Sequence, residues 1–265
     1  METDEVVDRH PVWSPDGRFV AYQSIKEPVG MGASTTYIYD VENDTAHELP
    51  VAGEIFDWST EGKLLLVSAP DAENDSEIYV LNQDGSEMRQ LTDNAVADTA
   101  PAWSPDARQI VYLSGYPQTT LMIMSMYGEN PQALTADISV NRETQPQWSP
   151  DGDTIAFVVN GDMIGTDQTS EIYTIHPDGT NLRQLTATGG VNLGPDWSPD
   201  GKQLVFYGYE AGAFDDTSDP VSLRTEVFRI DAEGGEPLNL TQSTGLDYDP
   251  TWSPDGGMDC LCFYP

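Results

Sequence analysis

The chain has 265 residues, with 45 Asp and Glu against 11 Lys and Arg, so its formal net charge is -34 at pH 7. That balance argues against nucleic acid, whose phosphates are bound by clustered Lys and Arg. Hydrophobic residues at 38%, with 6 Trp, 12 Tyr and 7 Phe, exclude wholesale disorder, and no apolar run reaches the roughly 20 residues of a membrane span.

The start, Met1-Glu2-Thr3-Asp4-Glu5, lacks the basic and apolar regions of a signal peptide. The first structured element is Pro11-Val12-Trp13 followed by Ser14-Pro15-Asp16-Gly17, and it recurs along the chain. Tryptophans stand at 13, 58, 103, 148, 197 and 252, spaced 45, 45, 45, 49 and 55 residues apart. Trp-Ser-Pro-Asp-Gly is intact at 148–152, 197–201 and 252–256, with looser copies at 58–62 and 103–107. Proline lies two residues before the tryptophan in five copies, at Pro11, Pro101, Pro146, Pro195 and Pro250, which predicts an edge strand there. Ser-Pro-Asp-Gly predicts a tight type I turn leading into a bulge.

Alternating apolar runs at 19–22, 64–67, 110–113, 155–158 and 204–207 predict second strands. Third strands are predicted at 37–39, 78–80, 121–123, 172–174 and 227–229. Asp84-Gly85 and Asp178-Gly179 mark a further hairpin before fourth strands such as 89–92 and 183–186. Helical periodicity is absent. Four antiparallel strands per unit of about 45 residues is the arithmetic of a β-propeller blade. The expected fold is therefore all-β, one propeller domain over residues 1–265 with five complete blades and an incomplete sixth, the tryptophans filling the space between blades.

The sixth copy stops one strand after its turn, and Asp259 occupies the place of Val20, Leu65, Ile110, Ile155 and Leu204. Either the register shifts or the end is a truncated form of a longer repeat, and the expected exposed edge invites pairing with another chain, leaving the oligomeric state open. Cys260 and Cys262, one residue apart, form neither a disulfide framework nor a CxxC metal site.

The Pro-x-Trp-Ser-Pro-Asp-Gly units, the Ile-Tyr runs, the Asp-Gly turns and the Leu-Thr pairs at Leu91-Thr92, Leu134-Thr135, Leu185-Thr186 and Leu240-Thr241 resemble the TolB-type propeller repeat, from Pro11 to Gly256. The resemblance implies a protein or peptide partner and a periplasmic or extracellular location. Similar propellers accompany hydrolase domains in prolyl-oligopeptidase-like enzymes, as gating modules, and others are sugar lyases. The chain has no Gly-x-Ser-x-Gly elbow, and His10, His47 and His176 occupy different positions in their repeats, so a non-enzymatic binding module is expected.

Five residues before each tryptophan stand Asp8, Gly53, Asp98, Glu143, Asn192 and Asp247. Asp8, Asp98, Glu143 and Asp247 are expected at the starts of inner strands around one mouth of the channel, as a site for a partner or a cation, Ca²⁺ being suited to oxygen-rich rings; no cofactor is required. The alternative reading is that these acids cap turns. Acidic loops at residues 71–77 and 210–224 are expected on the same face, the first a weak imitation of an EF-hand loop. Asp16, Asp106, Asp151, Asp200 and Asp255 are read as structural turn residues. So large a negative charge also suits a salt-rich environment.

Overall fold

The computed structural model describes residues 6–26, 35–49, 53–60, 64–70, 75–84, 86–164, 167–209, 225–242, 246–253, 255–256 and 260–264. Among them every regular element is a strand, 22 in all. The first sheet is β1 (Val6–Trp13), β2 (Phe19–Lys26), β3 (Thr35–Asp40) and β4 (Thr45–Glu48) in sequence order. The second repeats that order with β5 (Glu54–Trp58), β6 (Leu64–Pro70), β7 (Ser76–Asn82) and β8 (Arg89–Gln90), and the third with β9 (Asp98–Trp103), β10 (Gln109–Ser114), β11 (Thr120–Ser125) and β12 (Gln132–Ala133).

The fourth set is β13 (Gln147–Trp148), β14 (Ile155–Ile164), β15 (Asp167–Ile175) and β16 (Arg183–Gln184), and the fifth is β17 (Val191–Trp197), β18 (Gln203–Tyr209), β19 (Glu226–Asp231) and β20 (Leu238–Asn239). A single parallel pairing, Ser170 of β15 with Val191 of β17, joins these two sets. A last antiparallel pair, β21 (Leu246–Thr251) and β22 (Cys260–Tyr264), follows. Five four-stranded antiparallel sets and one pair agree with the expected TolB-like propeller. Contacts divide the chain into two compact units, residues 1–117 with 122–132, and residues 118–121 with 133–265.

The turn motif behaves as its chemistry requires. Gly17 N–H closes the turn on Ser14 O at 2.9 Å, and Gly17 sits at φ +69°, where a side chain would be strained. Ser14 Oγ donates to Asp16 Oδ1 at 2.6 Å and accepts from Phe19 N–H at 2.8 Å, tying the turn to the next strand. The same Ser–Asp bond recurs at Ser104–Asp106, Ser149–Asp151, Ser198–Asp200 and Ser253–Asp255. In the first four turns, these bonds hold the aspartate below the usual carboxylate range.

Tryptophan is a core residue in four repeats: Trp58, Trp103, Trp148 and Trp197 are buried. Trp58 packs with Phe19, Ile38, Ile55 and Leu81, so its indole joins the first and second sheets. Trp197 packs with Val158, Ile172, Leu204 and Phe206, joining the fourth and fifth sets. The indole N–H is satisfied across the same junctions, from Trp58 to Val12 O at 3.1 Å and from Trp197 to Gln147 O at 3.2 Å. Each such burial is worth about 1.5–3 kcal/mol. Trp13 departs from the expectation: it is 58% exposed. Trp252 is half-buried.

The fourth strands are shorter than expected, two residues in place of four at β8 and β16. The Leu-Thr pairs explain the difference. Ile78 N–H donates to Thr92 Oγ1 at 2.9 Å and Ile172 N–H to Thr186 Oγ1 at 2.9 Å, so a side chain replaces the next rung of the ladder. Leu121 with Thr135 and Val227 with Thr241 repeat the bond at 3.0 and 3.1 Å. In the last pair, Thr251 faces Cys260 with the offset that sets Val12 against Ala21, so the register there does not shift; Asp259 lies outside the described residues.

Candidate functional site

The first strands β1, β9, β17 and β21 carry a bulge where the proline stands. Pairing slips between Arg9 and Val12 in β1, between Leu193 and Asp196 in β17, and between Tyr248 and Thr251 in β21. The residue before the proline is left-handed at His10 (φ 52°), Ala100 (51°), Gly194 (57°) and Asp249 (50°). For the non-glycines this costs about 1–3 kcal/mol each, and it turns the side chain out of the strand's alternation.

The four carboxylates singled out from the sequence are not equivalent. Asp8 is exposed on β1, opposite Ser24. Asp98, the first residue of β9, is wholly buried, as is its neighbour Glu77. Asn94 bridges the two acids, its N–H donating to Glu77 Oε1 at 3.0 Å and its side-chain amide to Asp98 Oδ2 at 2.7 Å. Burial raises both carboxyls, and each is near other acids, Glu77 feeling Asp98 and Asp75. Asp247, on β21, is 1% exposed, and neither of its carboxylate oxygens has a hydrogen-bond partner among the described residues. Glu143 is exposed but belongs to no strand; its N–H is held by Asn141 Oδ1 at 2.8 Å, ahead of β13.

Of the four acids expected at inner-strand starts, Asp98 opens β9 and Asp247 lies second in β21, both buried, Asp8 is exposed within β1, and Glu143 departs from the expectation by lying in a loop ahead of β13. Asn192 explains what the position does in its own repeat. Its amide Nδ2 lies 2.9 Å from Glu171 Oε2, 3.0 Å from Ser170 O and 2.8 Å from Thr188 Oγ1, while Glu171 Oε1 accepts Gly189 N–H at 2.7 Å. In this repeat the residue five before tryptophan braces the strand entry against Glu171 of the preceding third strand. Among the described residues, no group of three or more His, Cys, Asp or Glu is placed to hold a metal ion. Residues 71–74 and 210–224, the expected acidic loops, lie outside the described residues.

The second unit contains a cavity of about 310 Å³ that the sequence did not single out. Its walls come from the first-strand segments of the fourth, fifth and sixth repeats and from Tyr207 on β18. Among the described residues that line it, Glu143, Asp196 and Asp249 supply carboxylates and none is Lys, Arg or His. Asp196 Oδ2 is committed, accepting Trp252 N–H at 3.0 Å and the Thr251 hydroxyl at 2.9 Å, and burial raises its carboxyl. The Tyr207 hydroxyl is pushed up to about 12, first by burial and then by the negative charges of Asp249 and Glu143. Gly194 lies against the tyrosine ring: a Cβ there would stand 2.7 Å from Tyr207 Cε1. The signal missed in the sequence was the acidic residue placed one or three before the tryptophan.

The histidines are held by separate local partners. His10 Nδ1 is 3.5 Å from Glu54 Oε1, His47 Nε2 is 3.2 Å from Gln83 O, and His176 sits in a turn with Thr180 and Asn181.

A sequence model of the TolB beta propeller domain matches residues 3–165. An uncharacterized protein of Agrobacterium fabrum, Atu1656, is 27% identical over 253 residues, covering 93% of this chain and 81% of that protein. A TolB homolog of Chlorobium luteolum is 34% identical over 137 residues, 49% of this chain, and the match spans only 28% of that relative's length. Among solved structures, a putative TolB from Agrobacterium tumefaciens superposes with a TM-score of 0.66 at 23% identity, covering 98% of this chain and 91% of that one. The fold is also shared with an oligogalacturonate lyase in complex with manganese, at a TM-score of 0.68 and 17% identity over 95% of this chain and 70% of that one. A Mycobacterium tuberculosis puromycin-hydrolyzing peptidase gives 0.69 and 15%, over 92% of this chain and 40% of that one.

Proposed function

The chain belongs to the TolB β-propeller family, and from that membership we propose that it is a non-catalytic binding module that presents an acidic inner-strand surface to a peptide or protein partner. The observation that supports this most is the cavity bounded by Glu143, Asp196, Asp249 and Tyr207, which concentrates negative charge and an aromatic ring where three repeats approach one another. A periplasmic or extracellular setting follows by resemblance to the TolB relatives.

The competing reading is the propeller of an enzyme, favoured by the shared fold with a lyase and a peptidase. The separately engaged histidines weigh against a metal or general-base cluster in this chain. Selection of displayed peptides on the immobilised chain, run with and without a chelator, tests the proposal and shows whether Ca²⁺ takes part. Enrichment of one peptide family that competes for the chain in solution is expected. Turnover of a peptide or oligogalacturonate by the chain, or no enrichment over an unrelated propeller, overturns it.

A further inference from the structure

We infer that Asn43 is an acceptor site for N-linked glycosylation. The sequence Asn-x-Ser/Thr occurs at 43–45, 74–76 and 239–241. Asn74 lies outside the described residues, and the other two asparagines are presented in opposite ways. Asn43 belongs to the turn 41–44 between β3 and β4, and Asn43, Asp44 and Thr45 are all exposed. β4 is the outermost strand of the first sheet and is exposed at every residue, so an enzyme can approach the turn from that side. Asn239 lies within β20, where its Oδ1 accepts Thr241 N–H at 3.1 Å. The Thr241 hydroxyl is committed on both sides, donating to Glu226 Oε2 at 2.6 Å and accepting Val227 N–H at 3.1 Å.

A transferase must reach both the amide and the hydroxyl two residues beyond it, so a site whose hydroxyl is locked into the fold is closed. Asn43 meets both needs. Its Nδ2 donates one N–H to Asp40 Oδ2 at 2.9 Å and its backbone N–H donates to Asp40 Oδ1 at 3.1 Å, which orients the amide and leaves its second side-chain N–H uncommitted among the described residues. Asp44 stands in the left-handed region at φ 54°, and its Oδ1 accepts the Tyr39 hydroxyl at 2.6 Å, holding the turn in this exposed form. Transfer forms a bond from Asn43 Nδ2 to the anomeric carbon of a lipid-phosphate-linked oligosaccharide and breaks that carbon's bond to the phosphate oxygen. The lipid phosphate leaves with the electron pair, and a base of the transferase takes the amide proton. A glycan here lies beside the outer edge of β4, which pairs with no further strand among the described residues, and so bulky and hydrophilic a group blocks edge-to-edge association. Access to the enzyme rests on the proposed periplasmic or extracellular setting; the presentation of the site does not.

Incubation of the folded full chain with a purified oligosaccharyltransferase and its lipid-linked oligosaccharide, read by intact mass and glycopeptide mapping, tests the site. One glycan per chain, at Asn43, is expected. Asn43→Gln and Thr45→Ala should each abolish the added mass, Thr45→Ser should retain it, and Asn239→Gln should leave it unchanged. Asn43 and Thr45 are exposed, so their variants keep the fold and remain a fair test. No transfer to Asn43, equal occupancy of Asn239, or full transfer to the Thr45→Ala variant overturns the inference. The mass of the chain recovered from its source cells separates the site from the setting. An exported chain bare at Asn43 overturns the inference. A bare cytoplasmic chain that the purified enzyme does modify overturns the proposed setting and leaves the acceptor site in place.

Discussion

Asp57 reaches out of its own repeat to the tryptophan of the next: its Oδ2 accepts Trp103 N–H at 2.7 Å, while its Oδ1 accepts the adjacent Trp58 N–H at 2.8 Å. Asp196 repeats the reach, holding Trp252 N–H at 3.0 Å. One carboxylate thus ties two successive first strands together, where the pairing within each is already broken by its bulge. The bond explains why an acid immediately precedes the tryptophan in these copies.

Asp57 is pushed up to about 7 by burial, against the pull of its two N–H donors. That lies above the ordinary carboxyl value, so the native chain binds the proton more tightly, and this residue's contribution to stability falls as pH rises from about 4 through about 7. Asp57→Asn should flatten that part of the profile while keeping an oxygen for one N–H. Thermal midpoints of both proteins across this range check it; parallel curves would refute it.

Asp98 and Asn192 occupy the same place in two repeats, yet only the asparagine can donate to the neighbouring glutamate. Asp98→Asn should therefore stabilise the protein at pH 7, by about 1–3 kcal/mol, the scale of a buried polar group gaining its partner. Because the raised carboxyl of Asp98 is protonated progressively as pH falls, the gain should shrink at pH 4. Denaturant unfolding at the two pH values measures both quantities.

Burial separates tryptophans that the sequence treats alike. Trp58→Ala should cost about 3–5 kcal/mol, through the cavity it leaves between Phe19, Ile38 and Leu81. Trp13→Ala should cost much less, since the indole is already 58% exposed. Midpoints of guanidinium unfolding, compared with the unsubstituted chain, decide it; equal losses would show that Trp13 is buried in solution.

A chain with net charge -34 repels itself. Added NaCl should raise the thermal midpoint steeply up to several tenths molar and then level off as the screening length falls to a few ångströms. A midpoint insensitive to salt would show that the surface charge is not a cost to this fold.

The repeat was legible in the sequence because a type I turn, a bulge proline and a buried indole each demand a particular residue type, and together they recur at nearly constant spacing. The Ser-Pro-Asp-Gly turns and their carboxylates behave as read, since their bonds are local. What the acids five before tryptophan do was not legible. Asp8 lies in solvent, Asp98 and Asp247 are buried, and Glu143 hangs in a loop, a division that the residue type at this position does not encode. The cavity was hidden for the same reason. Its walls come from segments about 50 residues apart, and the left-handed turn at Asp249 redirects a side chain that simple alternation would place elsewhere. Sequence alone determined the strands, their order and their turns, which depend on neighbours a few residues away. Only tertiary structure decided which charges are buried and which converge, because desolvation depends on what distant strands carry to the same spot.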